Sequence, residues 1–574
     1  MTSAVPEFDS IVVGTGFSGI HSLWQLKQLG HSVKCFEAGS DIGGVWYWNR
    51  YPGARTDIDG RVYSMKFTEK LKDLWDYKER YPTQPEVHAY LTAVLDEFDL
   101  RRTIQFSTRV VSAIFSHANN IWTITTANGE VFTSRFFVPA TGPMSSAKKI
   151  PFPGLAGFKG QWFQSSTWPK EKPDLKGKRI AIIGTGATGV QLVPKLATVA
   201  KELIVFQRTP NYVLPGRNFN IDREEADEIR ENYNAIWRMS EKTDFGLPMV
   251  PTGKTFSEMK DDEAQQALDR TWESGGFHIM FESFDDVFID AGANTAVSDY
   301  LKKKIRVVVE DPEVAEILTP KYPFLTKRPP CGHGYYEAFN RPNVKLVDIS
   351  KEEIDVYDNG VKTSQTGVHY EVDVIIFALG FDAGIGALSE MEVRAGTGPS
   401  LKETWEKDVE TYAGVLVPGF PNMFIVCGPH MPFGNMPLVL DLQVNWIGAL
   451  LQYMKDTSAT RVSVSDELAQ AYCKELAIIF GMAVFAESSK KLGSWFVGGN
   501  IPGRVIRPLF YFSGIPRWRV WLDKEREGNW KGMVFGGGER RIEGKRRAGK
   551  RRASGGWVGN SEHKKRRRGT VNKG

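Results

Sequence analysis

Four cysteines in 574 residues are too few and too scattered to organise a fold. Cys35, Cys331, Cys427 and Cys473 form no Cys-x-x-Cys pair. That argues against a disulfide framework or a zinc knuckle, so no metal is expected, and it fits a reducing compartment. Long hydrophobic runs are missing as well: no stretch approaches the ~18 apolar residues that a membrane helix needs. The opening residues, MTSAVPEFD, are polar and acidic, unlike a secretory signal peptide. The expected location is cytoplasmic, with no membrane partner.

Evenly spread positive charge is also lacking. The formal net charge is +5, yet Arg540 to Gly574 alone carries fourteen Lys and Arg against two Glu, a net of +12. Subtraction leaves −7 on the body of the chain. The tail has no hydrophobic period and reads as disordered. It is either a solvated extension or a segment for nuclear import or a polyanionic partner, and such runs are only a weak hint of nucleic-acid binding.

The chain does have a globular composition, 41% hydrophobic and 12% aromatic, and length for two or three domains. The aromatics suit a planar ligand and equally suit large cores. A β-branched run reaches Gly14, followed by the loop GTGFSG, a helix to about Leu29 and a strand to Glu37. A second copy has its strand to Gly184, the loop GTGATG, a helix to about Ala200 and a strand to Gln207. Each is a βαβ unit. Between Asn220 and about Val314 the pattern turns helical and charged.

The spacing predicts an α/β fold with two dinucleotide-binding, Rossmann-like domains. The first is interrupted by the second, which carries a helical insert. The boundaries fall at 1–143, 144–380 with the insert at about 220–314, 381–535, and a basic tail at 536–574. Oligomeric state is not legible.

In each copy the first glycine (Gly14, Gly184) allows a tight turn. The second (Gly16, Gly186) lets backbone approach a pyrophosphate, and the third (Gly19, Gly189) lets helix and strand pack closely. The helix N-terminus offers free N–H groups and a positive dipole end to phosphate. The copies differ 23 residues after the first glycine. There the first has Glu37, whose carboxylate suits ribose hydroxyls. The second has Gln207 followed by Arg208 and Thr209, which suit a 2′-phosphate. FAD is expected at the first site and NADPH at the second, with hydride passing to flavin.

After Glu37 come Gly43-Gly44-x-Trp46, Tyr51-Pro52-Gly53 and Asp57. Between the two units lies FKGQWFQSSTWP, Phe158 to Pro169. Together these resemble the two fingerprints of the type I Baeyer–Villiger monooxygenases, flavoproteins of the class B monooxygenase family. The resemblance runs from about Phe8 to about Trp530.

The resemblance implies a FAD- and NADPH-dependent monooxygenase. It would insert one O2-derived oxygen beside the carbonyl of a small-molecule ketone, through a flavin C4a-peroxide, to give an ester or lactone. It implies Arg328 as the catalytic cation, oriented by Asp57. It places Lys327 with Arg208 and Thr209 at the 2′-phosphate, and Thr185, Gly186, Ala187, Thr188, Gly189, Val190 and Gln191 around the pyrophosphate. Arg55, Thr56 and Asp57 would lie near the nicotinamide. Val45, Trp46, Tyr47, Trp48, Tyr63, Val110 and Met436 would surround FAD, and Trp495 would close over the nicotinamide from a mobile loop. Phe433 and Phe496 are candidate substrate walls. His333 and His430 read as structural rather than as general bases.

One residue departs from the family pattern: Gln164 stands where the second fingerprint has His. Gln keeps a donor and an acceptor but cannot carry charge. The segment reads as an interdomain hinge, and its Trp168-Pro169 ending favours ketone oxidation over the flavin N-oxygenating relatives. The alternatives are N- or S-oxygenation, or a weakened homologue acting mainly as an NADPH oxidase.

Overall fold

The computed structural model describes residues 5–537; most of the basic tail lies outside them. Two sheets carry the architecture. The first has seven strands, in the order Glu392–Ala395, Val110–Ser116, Ile121–Thr126, Val131–Pro139, Phe8–Val13, Val33–Phe36 and Ile104–Gln105. Its half around Phe8–Val13 is parallel, and the hairpin strands Val110–Thr126 are antiparallel. The second has five strands, all parallel, in the order Val344–Asp348, Glu202–Gln207, Arg179–Ile183, Val374–Phe377 and Gln161–Gln164.

The strand sequences explain the parallel pairing. SIVV and IAII are buried on both faces, as expected when helices cover a parallel sheet on either side. Helix Phe17–Gln28 follows the first glycine loop and helix Ala187–Ala197 the second. The packing is the same in both. A Cβ at Gly19 would lie 1.9 Å from the Gly14 carbonyl oxygen, and one at Gly189 2.3 Å from that of Gly184. Only glycine lets the helix start this close to the strand end.

Helices between Arg223 and Leu318 form the insert. Their buried side chains, Trp237, Leu268 and Val297 among them, continue the hydrophobic core of the first sheet. Ile305, Ala315 and Leu318 turn to the core of the second. The insert therefore packs against both units.

The hinge reading of Phe158–Pro169 needs correction. Gln161–Gln164 is the edge strand of the second sheet, paired in register with Val374–Phe377. Its four residues, none of them buried, were too short a run to read as a strand from periodicity. Trp168 is buried in the core of the second unit against Phe163. The chain crosses between the units elsewhere, at 143–148 and 380–384, and the two crossings are hydrogen-bonded to each other. Gly384 donates its N–H to Pro143, Asp382 to Ser146 and Lys148 to Gly380.

No described helix is long and apolar enough to cross a membrane.

Candidate active site

The first fingerprint is a strap between the two glycine loops. Gly43 donates its N–H to the Thr15 carbonyl at 3.0 Å, which seats the Gly-Gly pair on the first loop. Trp46, in the short helix Val45–Trp48, donates Nε1–H to the Tyr63 hydroxyl at 3.2 Å. Tyr51 then reaches the second unit and donates its hydroxyl to Gln191 Oε1 at 2.8 Å. Burial, eased by a bond to Thr188, pushes that phenol up to about 12. Gln191 returns a bond, Nε2–H to the Arg55 carbonyl at 2.9 Å. Gly53 lies between them at φ +87°, where an added Cβ would sit 2.6 Å from the Gln191 carbonyl oxygen. A positive φ and a close backbone approach both demand glycine there.

Residues 54–57 are held from the other side as well. Thr56 N–H donates to Pro82, Gln84 N–H donates to Ala54, and Arg55 pairs with Glu79 at 2.9 Å. This places Asp57 where the strap, segment 82–84 and the return of the insert meet. Arg328 arrives from the segment that follows the insert and pairs with Asp57, donating Nη1–H to Oδ2. The carboxylate is 6% exposed and the guanidinium 26%. Burial works against the charge on Arg328, but Asp57 outweighs it and raises the guanidinium above its ordinary value. The remaining donors of Arg328 have no protein partner among the described residues, and Asp57 Oδ1 is buried without one. The segment is fastened: Asn211 donates to the Arg328 carbonyl at 3.1 Å, and Ser489 to that of Thr326 at 3.0 Å.

At the first loop, Glu37 is buried and its Oε2 accepts from Thr15 N–H and Oγ1–H, at 3.0 and 2.6 Å. Oε1 accepts from Gly39 N–H at 2.7 Å. Oε1 keeps a second lone pair for a ribose hydroxyl, while both lone pairs of Oε2 are taken by Thr15. Tyr63 packs edge-on to Phe17 at 5.3 Å, Val110 is buried at the start of its strand, and Met436 opens helix Met436–Thr457. Tyr47 turns away to the Ser40 hydroxyl at 2.9 Å, and Trp48 packs edge-on to it at 4.9 Å.

At the second loop, a Cβ on Gly186 would meet nothing within 4 Å, so the backbone faces open space where a pyrophosphate needs room. Thr185 donates Oγ1–H to the Thr209 carbonyl at 3.2 Å, which draws Arg208 and Thr209 to the loop. Gln207 points away, donating Nε2–H to Ile317 in the insert at 2.8 Å. Burial, then the charges of Arg208 and Lys148, depress Lys327 to about 8. A cation held down by neighbouring cations fits an anionic ligand, and this cradle fits the phosphates of NADPH. Lys148 was not legible in the sequence: it belongs to no motif and lies 60 residues before Arg208.

One substrate-wall candidate is corrected. Phe496 is fully buried beneath Trp495, so it cannot wall an open substrate space here. Phe433 is partly buried, stacked on Phe512 at 5.2 Å and edge-on to Phe245 at 5.3 Å. Trp495 packs on Phe510 at 5.1 Å. His430 is buried and His333 half-buried, and loss of solvent lowers each to about 4 and keeps both neutral. His430 is fixed by Thr411 at 3.1 Å.

A model of the FMO-like, flavin-binding monooxygenase-like family matches residues 9–221. Across 92% of this chain and 97% of its own length, a phenazine N-monooxygenase of Lysobacter antibioticus is 38% identical. A cyclohexanone 1,2-monooxygenase of Acinetobacter sp. is 35% identical across 90% of this chain and 94% of its own length. The chain belongs to the Baeyer–Villiger monooxygenase family. The crystal structure of OTEMO in complex with FAD and NADP superposes with a TM-score of 0.88, at 35% identity over 93% of this chain and all of that one. This Baeyer–Villiger monooxygenase family member is thus an NADPH-dependent flavoprotein monooxygenase of two Rossmann-type units, with FAD and NADP as its cofactors.

Proposed function

We propose that the enzyme oxidises a ketone, inserting one oxygen atom of O2 beside the carbonyl to form an ester or lactone. The other oxygen leaves as water, and NADPH supplies the two electrons. The reading rests on the Arg328–Asp57 pair, a fixed cation with unpartnered donors where the strap meets both units. Bound FAD, once reduced by NADPH, supplies the activation of O2. The protein's part is to hold the charge that develops on oxygen and to keep water out. Arg328 stays charged at any working pH and can direct N–H groups at two oxygens. Asp57 orients it and offsets the cost of burying it. Residues 1–143 with 381–535 are taken to hold FAD, and 144–380 with the insert to hold NADPH.

The test is to incubate FAD-loaded protein with NADPH, labelled O2 and a panel of ketones. A labelled ester or lactone is expected. If NADPH is consumed with no labelled product from any ketone, the reading fails.

A second reading is N-oxygenation of an aromatic heterocycle, favoured by the 38% identical phenazine N-monooxygenase. A panel of planar N-heterocycles run beside the ketones discriminates. Labelled N-oxide in place of ester would establish it.

A further inference from the structure

The structure assigns Lys148 to the phosphate end of the NADPH site, with Gln164 as the residue that positions it. This rests on the reading that the second glycine loop holds NADPH.

The argument begins with the crest of the second sheet. In a parallel sheet, ligands sit beyond the carboxyl ends of the strands. Four adjacent strands end in register here: Ile183 pairs with Phe206 on one side and with Phe377 on the other, and Phe377 pairs with Gln164 on the edge strand. The residues just past these strand ends form the site. Arg208 and Thr209 come after Glu202–Gln207, Gly184 and Gly186 after Arg179–Ile183, and Gly380 after Val374–Phe377.

Lys148 is attached to this crest twice. Its N–H donates to the Gly380 carbonyl at 3.1 Å, and its own carbonyl accepts Gln164 Nε2–H at 2.7 Å. Two backbone bonds fix the Cα, so the half-buried side chain starts from a set point beside the loop.

The charge pattern says what the side chain awaits. Lys148, Arg208 and Lys327 have no carboxylate within 4.0 Å among the described residues. The acid nearest to Lys148 in effect, Asp382, is held by both Nη atoms of Arg504. Burial and then Arg208 lower Lys148 below its ordinary value, and Lys148 in turn lowers Lys327. Three like charges gathered without counter-charge make a site for a dianion, and the 2′-phosphate is the dianion that distinguishes NADPH from NADH. The departure at position 164 then has a use. A donor to a neutral carbonyl is needed there, and Gln supplies one without adding a fourth positive charge.

The experiment uses the full chain with FAD bound and oxidised. Equilibrium affinities for NADP+, NAD+ and adenosine 2′,5′-bisphosphate are measured by calorimetry for the wild type and for Lys148→Ala, Lys148→Arg, Gln164→Leu and the Lys148→Ala/Gln164→Leu pair. The expected result is about a tenfold weaker hold on NADP+ and on the bisphosphate in Lys148→Ala. NAD+ should be unchanged, and Lys148→Arg should recover most of the loss. Gln164→Leu should lose affinity in the same two ligands, and the double variant should lose no more than Lys148→Ala alone. Equal weakening of NADP+ and NAD+, no weakening at all, or additive losses in the double variant would overturn the assignment. If the wild type itself holds NADP+ no tighter than NAD+, it is the NADPH reading of the second loop that fails.

Discussion

The hydroxyl of Tyr51 and the side-chain carbonyl of Gln191 lie 2.8 Å apart, although 140 residues separate them in the chain. With Gly53 pressed on the Gln191 backbone, this contact clasps the first fingerprint to the helix of the second glycine loop. The fingerprint sequence near the flavin loop therefore sets where the other cofactor's helix stands. Tyr51→Phe keeps the ring and removes the bond. Hydride transfer from NADPH to FAD, measured by stopped-flow bleaching of the flavin, is expected to slow about tenfold. An unchanged bleaching rate would remove the clasp from the account.

Gly53→Ala tests the same contact by sterics. The φ of +87° costs a non-glycine residue about 1 kcal/mol, and the Cβ would strike a carbonyl oxygen 2.6 Å away. A loss of about 2 kcal/mol in urea unfolding is expected, together with weaker NADP+ binding. Wild-type values for both would mean that the strap has slack.

Arg328→Ala should retain FAD and its reduction by NADPH while product formation falls about 100-fold or more, since a fixed stabiliser of developing charge is gone. NADPH would then be consumed to give hydrogen peroxide. Asp57→Ala leaves the guanidinium without its counter-charge. With Arg328 still about one-quarter exposed, the expected stability loss is about 2 kcal/mol. Product yield per NADPH and urea midpoints read these outcomes. Wild-type yield in Arg328→Ala would remove the arginine from the chemistry.

The hold on NADP+ should depend on pH through Lys327. Its value of about 8 in the free site means that the ammonium is present below pH 8 and lost above it. The preference for NADP+ over NAD+ should therefore be full at pH 7 and fall several-fold by pH 9.5, leaving what Arg208 and the charge still on Lys148 provide. Binding near pH 8 should take up a proton, because a phosphate dianion favours the charged amine. Calorimetry in two buffers of different ionisation enthalpy measures that uptake. A preference flat from pH 7 to pH 9.5 contradicts the depressed amine.

Gln164→His restores the residue of the family pattern. Since Gln164 donates to the neutral carbonyl of Lys148, a histidine N–H can take the same place. The ratio of product formed to NADPH consumed is expected to change less than twofold at pH 8. A ratio that rises sharply below pH 6.5 would show that charge at this position matters.

Much of this was legible along the chain. The two Gly-x-Gly-x-x-Gly loops could be read because each lies between a β-branched strand and an amphipathic helix, all within about 30 residues. The contrast between Glu37 and Gln207, with Arg208 next to it, could be read because Glu37 and Gln207 lie at the same distance from their glycines. The edge strand at Gln161 could not, since four half-exposed residues carry no period. Nor could the burial of Phe496, because an aromatic in a Gly-rich turn looks the same whether it faces a ligand or a core. Lys148 was invisible for a different reason: its place depends on Gly380, 232 positions away.

The sequence by itself determined the two glycine-loop units and the contrast between Glu37 and Gln207-Arg208, because those depend on local backbone chemistry repeated within short spans. Only the tertiary structure decided which side chains share a site. The clasp of Tyr51 on Gln191, the seating of Arg328 on Asp57 and the gathering of Lys148 with Lys327 all join residues more than a hundred positions apart. Such contacts come from packing two sheets and an insert around common cores, and no local periodicity encodes them.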